Sequence, residues 1–247
     1  MNRRARSCAW YKSMRSQLRN LLRPSGPRTA PELSFADYVA ERVGIWAEAP
    51  PVPGALVFLG DSQIERGRWN EWFWRVPVLN RGIGGETIAG VAARLEEVVR
   101  HAPPLIVIEC GANDFAAGTS IENAARDFAS LLLALREQLP SCVLWTQGVL
   151  PVHPVHWREL APAQSQARAR EMNAQVKELN THLEAATRKV GAHFFDVHHF
   201  LELDGALRAD CTLDGLHLNG VGYRVWREAI KQSAPPEVAA ILGPARG

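Results

Sequence analysis

From residue 55 onward, short and almost wholly apolar runs alternate with longer amphipathic stretches, and that alternation leaves few folds open. The runs lie at 55–59, 76–80, 105–110, 142–147 and 193–197. Each has the length of a strand, and those at 55–59 and 105–110 are too uniformly apolar to present a wet face. Strands buried on both faces belong to parallel sheets that helices cover on either side. Helical periodicity fills the intervals at 64–73, 88–100, 121–138 and 165–190, and a last helix is expected at 221–231. The pattern predicts an α/β fold of three layers, a five-stranded parallel sheet flanked by helices. In open sheets of this kind, reactive groups gather beyond the carboxyl ends of the strands.

The remaining composition narrows the function classes. A chain of 247 residues can bury one substantial core. No run of eighteen apolar residues occurs, so no membrane-spanning helix is expected. Cys8, Cys110, Cys142 and Cys211 are widely spaced and form no CxxC pair, which argues against a zinc or redox site. Cys110 and Cys142 fall in apolar runs, where reduced thiols are ordinary, so a reducing, cytoplasmic setting is expected.

Charge is unevenly placed. The first thirty residues hold eight of the 28 basic residues and none of the 26 acidic ones, which leaves the rest of the chain net acidic. A nucleic-acid-binding surface on that acidic body is not expected. Within the basic arm, Trp10, Met14, Leu18, Leu21 and Leu22 recur at helical spacing, with Lys12, Arg15, Arg19 and Arg23 on another face. Such an arm suits an anionic membrane surface or an organelle-targeting role; a frayed tail or a helix packed on the domain fits the pattern equally. A secretory signal is not expected, because no continuous apolar segment follows the arginines. Residues 1–31 are read as arm and linker, 32–54 as a lead-in, 55–235 as the main domain and 236–247 as a C-terminal tail.

Four short motifs sit in one order along the main domain. They are Gly60-Asp61-Ser62, Gly84-Gly85, Gly111-Ala112-Asn113-Asp114 and Asp214-Gly215-Leu216-His217. The first three directly follow the first three expected strands, and the fourth follows the fifth after an intervening segment. Ser62 is placed where a buried strand turns into a helix, so its hydroxyl and its own N–H can face one point. The competing reading makes Ser62 or Asp61 a helix N-cap, with Glu65 completing a capping box. Serine is a poor nucleophile unless a base takes its proton, and histidine serves best when an acid fixes its tautomer. Asp214 and His217 can project from one tight turn to do so, although a structural histidine in a Gly-rich turn would show the same spacing. Gly85 allows close backbone approach, and Asn113 offers a side-chain amide; a plain turn and an Asx-turn are their bland alternatives.

Together these blocks resemble the SGNH hydrolase superfamily, the GDSL-type esterases and lipases. The stretch Asn80-Arg81-Gly82-Ile83-Gly84-Gly85-Glu86-Thr87 and the continuation from Leu218 to Tyr223, with Trp226, carry the likeness further, over residues 55–230. The resemblance implies a flavodoxin-like sheet and ester hydrolysis without a cofactor or metal. It also implies that Ser62 is the nucleophile, His217 the base and Asp214 its orienter. The oxyanion hole would comprise the N–H groups of Ser62 and Gly85 and the amide of Asn113. Asp61, Gln63, Gly84, His153, His156 and Leu216 are the candidate cleft residues around them. Gln63-Ile64 departs from the Leu-Thr or Ile-Thr common in the family, and Glu86 stands where aspartate is common.

The expected reaction is hydrolysis of a small or single-chain acyl ester through an acyl-enzyme, with short, acetyl-like groups favoured. Carbohydrate O-acetyl esters, lysophospholipids and acyl thioesters are the rival substrates, and an idle acyl- or glycan-binding module is the rival class. Other motifs are set aside. Gly82-Ile83-Gly84-Gly85 starts a dinucleotide fingerprint, but Thr87 occupies the third glycine's place. Neither a P-loop nor a Gly-x-Ser-x-Gly elbow occurs. Trp69, Trp72 and Trp74 are expected to pack on a helix face, with an acyl pocket as the sharper alternative.

Overall fold

In a computed structural model that describes residues 33–243, the five apolar runs form five parallel strands. These are β1 (Leu56–Gly60), β2 (Val78–Gly82), β3 (Leu105–Glu109), β4 (Val143–Gln147) and β5 (His193–Phe195). Their order in the sheet is β2-β1-β3-β4-β5. Val57 of β1 pairs with Leu79 on one side and Ile106 on the other, which fixes the register at the centre. Successive strand side chains point to opposite faces. Leu56, Phe58, Leu105, Val107 and Trp145 therefore enter one core, while Val57, Leu59, Ile106, Ile108 and Leu144 enter a second on the far side.

The helices along the chain are α1 (Phe35–Glu48), α2 (Ser62–Glu65), α3 (Trp69–Trp72), α4 (Ile88–Ala92), α5 (Leu95–Val99) and α6 (Ala112–Ala116). They continue as α7 (Ile121–Gln138), α8 (Pro162–Lys189), α9 (His198–Leu201), α10 (Gly220–Ser233) and α11 (Pro236–Leu242). Trp226 and Ile230 of α10, Val238 and Leu242 of α11, and Trp69 of α3 fill the first core. Phe128 and Leu132 of α7, with Val176 and Leu183 of α8, fill the second. Each fully buried apolar side chain of this size stabilises the fold by about 1.5–3 kcal/mol. Among the described residues no helix is long and apolar enough to cross a membrane.

Several boundaries differ from the sequence expectation, each for a local reason. β2 runs through Asn80 and Arg81 to Gly82, two residues later than expected, because the polar side chains find partners there. The Asn80 amide donates to the carbonyls of Ile64, Glu65 and Gly67, and Arg81 pairs with Glu97. The helix expected at 64–73 breaks into α2 and α3 where the Trp69 indole folds back to donate to the Ile64 carbonyl. The one expected at 88–100 divides at Arg94, whose guanidinium turns inward to the carbonyls of Gly60 and Arg81. β5 stops at Phe195, and Asp196 then accepts from the N–H of His198 at the start of α9.

Unforeseen elements are α1, the short α6, and a hairpin of β6 (Glu202–Leu203) and β7 (Ala206–Leu207). Asp204 and Gly205 turn that hairpin with positive φ at both positions, as a tight right-twisted turn requires. The stretch expected as a C-terminal tail contains α11, whose Val238 and Leu242 are buried. Internal contacts divide the chain into residues 1–40 and 41–247. In the first of these, Ser34 and Asp37 bond reciprocally at the start of α1. The basic amphipathic helix expected in residues 1–30 lies outside the described residues.

The sheet order places a topological reversal between β1 and β3, since the chain leaves β1 for β2 and then passes back to β3. A crevice opens at such a point beyond the carboxyl ends of the strands. Ser62 follows β1 and Asn113 follows β3, so both stand at its rim.

Candidate active site

Asp61, not Ser62, caps α2: its Oδ1 accepts the Gln63 N–H at 3.0 Å. The Ser62 hydroxyl is thereby free of capping duty at the first position of the helix. It meets His217 Nε2 at 3.0 Å. His217 Nδ1 lies 2.7 Å from Asp214 Oδ2, so hydroxyl, imidazole and carboxylate form one continuous chain.

The loop carrying His217 is built to hold that pose. An antiparallel bridge between Thr212 and Leu218 closes its base. Inside it, Thr212 Oγ1 accepts the Gly215 N–H and donates to the His217 carbonyl. Asp214 Oδ1 accepts the N–H of Leu216 at 3.0 Å and of His217 at 2.8 Å. Gly215 adopts φ +83°, and a Cβ there would come within 2.3 Å of the His156 backbone nitrogen. Only glycine serves both needs. Burial opposes the charge on Asp214, but the bonds from the His217 imidazole and from two backbone N–H groups outweigh it. Its carboxyl therefore lies well below the usual carboxylate range, and the group that orients His217 is an anion at working pH.

A second set of groups faces the same crevice. Gly85 has φ +87°, a conformation that glycine tolerates readily. Gly84 is held beside Ser62 by the Glu65 carboxylate, which accepts its N–H at 3.1 Å and so does not complete a capping box. The Asn113 amide donates to the Glu86 carbonyl at 2.9 Å and, at a longer 3.3 Å, to Asp61 Oδ2. Asp114 accepts the Ile88 N–H, so the third motif also anchors the segment after the second. Glu86 is buried and ion-paired to Arg94, and that guanidinium also binds the Gly60 carbonyl at the end of β1. These links join the Gly84–Gly85 turn and the nucleophile segment into one rigid rim.

Beneath the nucleophile lies a buried acid pair. Glu109, on β3, and Asp61 are 0% and 1% exposed. Among the described residues no donor N–H or cation reaches either Glu109 oxygen. Burial, with the Asp61 charge beside it, pushes Glu109 well above the usual carboxylate range. Burial likewise raises Asp61 to about 7, against the pull of the Gln63 N–H. A neutral Glu109 can donate its proton to Asp61, which relieves the repulsion between the two carboxyl groups.

Several expected cleft residues have other partners. Asp61 is buried under the site, and Gln63, only 4% exposed, directs its amide to the backbone on either side of His217. Leu216 enters through its carbonyl, which accepts from Gln63. His153 and His156 brace the His217 loop: the His153 N–H donates to the Gly215 carbonyl, and His156 Nδ1 lies 3.3 Å from the Asp214 carbonyl. Trp69 stacks on Phe58 with ring centroids 4.2 Å apart and belongs to the core rather than to an acyl pocket. Sequence reasoning missed the roles of Arg94 and Tyr223, which reach the carbonyls of Gly60 and of Gln63 far away in the chain, and of Thr212, which ties its own turn together without belonging to a motif. Glu109 did leave a local pattern, as a lone acid in an apolar strand.

Cys110, Cys142 and Cys211 are buried and unpaired. Among the described residues no group of three or more His, Cys, Asp or Glu side chains is placed to hold a metal ion. The chain of bonds through Ser62, His217 and Asp214 suits proton transfer off a nucleophile.

Comparison with known proteins points the same way. Residues 58–225 match the GDSL-like Lipase/Acylhydrolase family. The human platelet-activating factor acetylhydrolase IB subunit alpha1 is 30% identical over 177 residues, covering 68% of this chain and 70% of that protein. The rat alpha2 subunit is 27% identical over 176 residues, covering 68% and 70%. Among solved structures, a GDSL-like lipase from Bacteroides thetaiotaomicron superposes with a TM-score of 0.63 at 24% identity, covering 81% of this chain and 98% of that one. A family 3 carbohydrate esterase from Clostridium thermocellum gives 0.58 at 16% identity, covering 76% and 98%. At these identities the two structures bear on the fold alone.

Proposed function

The chain belongs to the GDSL-like lipase/acylhydrolase family, and from that premise we propose that it hydrolyses short-chain acyl esters, acetyl esters foremost, through an acyl-enzyme on Ser62. His217 Nε2 takes the hydroxyl proton as Ser62 Oγ adds to the ester carbonyl. The oxyanion that forms is held by the N–H groups of Ser62 and Gly85 and by the Asn113 amide, which exchanges its long bond to Asp61 for the new charge. Collapse breaks the bond to the alcohol oxygen, and His217 gives its proton to the departing alcohol. Water then attacks the acyl-enzyme while His217 accepts a proton from it, and collapse breaks the bond to Ser62 Oγ, which takes that proton back from His217 as the carboxylic acid leaves. Asp214 holds the tautomer throughout.

The observation that carries this reading is the pair of contacts at 3.0 and 2.7 Å linking Ser62, His217 and Asp214. The acetyl preference is supported by the acetylhydrolase subunits to which the chain is similar. A series of nitrophenyl esters from acetate to decanoate tests it. The reading expects kcat/KM to be highest at two to four carbons, and a rate that climbs beyond eight carbons overturns the preference. The three buried, unpaired cysteines support a reducing, cytoplasmic setting. The basic arm is assigned to contact with an anionic membrane, on its charge and spacing. Removing residues 1–30 should abolish sedimentation with phosphatidylserine vesicles, and unchanged partitioning dismisses that role.

A further inference from the structure

Ser62, at the start of α2, and His217, in its loop, meet across 155 positions of sequence. What holds the loop at the right distance from the helix start is a separate requirement, and the residue next to the nucleophile meets it. Gln63 Nε2 donates to the Leu216 carbonyl at 2.8 Å, and Gln63 Oε1 accepts the Leu218 N–H at 3.4 Å. One amide thus engages the backbone immediately before and immediately after His217. The backbone of Gln63 is itself pinned on both sides, with its N–H on Asp61 Oδ1 and its carbonyl receiving the Tyr223 hydroxyl at 2.7 Å.

We propose that Gln63 is a positioning residue for the reaction, a splint that sets the distance and angle between the Ser62 hydroxyl and the His217 imidazole. The inference rests on the acyl-enzyme reading given above. Gln63 is buried and both ends of its amide are engaged by protein, so it acts through His217 and does not touch substrate. The amide is chemically specific for this task, since it offers a donor and an acceptor from one planar head. A carboxylate keeps the bond to the Leu218 N–H but sets an anion against the Leu216 carbonyl. A methionine of similar volume fills the space and makes neither bond. The other braces of the loop leave the Asp214–His217 pair intact without Gln63, because Asp214 bonds within its own turn. Loss of the splint therefore separates two properties: the imidazole stays oriented by Asp214 and loses its aim at Ser62. A displacement of about 1 Å at a reacting centre costs as much as a hundredfold in rate.

The test uses the full chain with Gln63→Met and Gln63→Glu, nitrophenyl acetate as substrate and a fluorophosphonate as the acylation probe. The expected result is a fall in kcat of about 10- to 100-fold with KM within about twofold of the wild type, and a parallel fall in the labelling rate. The downfield proton resonance of His217 Nδ1–H should persist in Gln63→Met. Turnover within twofold of the wild type in both variants overturns the proposal. So does loss of the downfield resonance together with a collapsed melting transition, which makes Gln63 a residue of the fold only. A wild-type protein inert to both ester and probe sinks the acyl-enzyme reading instead, and is thereby distinguished from failure of the splint.

Discussion

Replacing Asp214 by asparagine exchanges one oxygen for an NH2 group, and the surrounding donors decide which way the new amide points. Asp214 Oδ1 already accepts two backbone N–H groups, at 3.0 and 2.8 Å. The asparagine oxygen must take that position, because an NH2 group there would face two donors. The amide nitrogen then occupies the site 2.7 Å from His217 Nδ1 and donates to it. The imidazole is forced to carry its proton on Nε2, directed at the Ser62 hydroxyl 3.0 Å away. In that tautomer it cannot receive the serine proton. General-base assistance is worth about 10²–10⁴ in rate, or ~3–5 kcal/mol, and Asp214→Asn should forfeit most of it. The two backbone bonds survive, so the melting temperature should move by no more than a few degrees. Asp214→Ala should lose comparable activity and, with two N–H groups orphaned at a half-exposed site, about 1–2 kcal/mol of stability as well. Initial rates on nitrophenyl acetate and thermal melts of the three proteins decide the matter. An Asp214→Asn enzyme that keeps more than a tenth of wild-type kcat/KM refutes the tautomer argument.

Other consequences can be measured on the same preparation. Asn113→Ala removes one of the three proposed oxyanion donors and should lower kcat by about 10²–10³ with little change in KM, whereas a loss confined to KM would place the amide elsewhere. Ser62→Ala and His217→Ala should each abolish most turnover, and the double variant should be scarcely worse; multiplicative losses would deny that they act as a unit. Glu109→Gln tests the buried acid pair. Burial first, and then Asp61, raise the Glu109 carboxyl above its ordinary 4.5, so the folded protein keeps a proton that the unfolded chain releases. Its contribution to stability is therefore fully present below that ordinary value and is lost as pH rises toward the raised one. Glutamine mimics the neutral acid, so the gain in melting temperature over wild type should widen from pH 5 to pH 8. A deficit that is constant with pH contradicts a protonated Glu109.

Much of this molecule is legible in its residues, and the reasons are specific. The runs that form β1 and β3 are apolar at every position but the last, and β4 opens with Val-Leu-Trp, because both faces of each strand are buried, so composition alone marks them. β2 reads two residues early because Asn80 and Arg81 look like a strand end and are instead satisfied by carbonyls and by Glu97. The first three motifs are legible because each follows a strand of the sheet directly, and the fourth because Asp214 and His217 stand three residues apart. Their supports are not legible. Gln63 reads as a cleft residue beside a serine, yet its partners stand at 216 and 218, and no spacing rule links positions so far apart. The same holds for His153 and His156, which brace the backbone of the His217 loop from a different segment.

The account turns on Ser62 as the one activated hydroxyl. Reaction of the full chain with a fluorophosphonate, followed by intact mass and peptide mapping, addresses it directly. The account predicts one phosphonyl adduct per chain, located on Ser62, absent from Ser62→Ala and formed far more slowly in His217→Ala. An adduct on another residue, or undiminished labelling of Ser62→Ala, would contradict it.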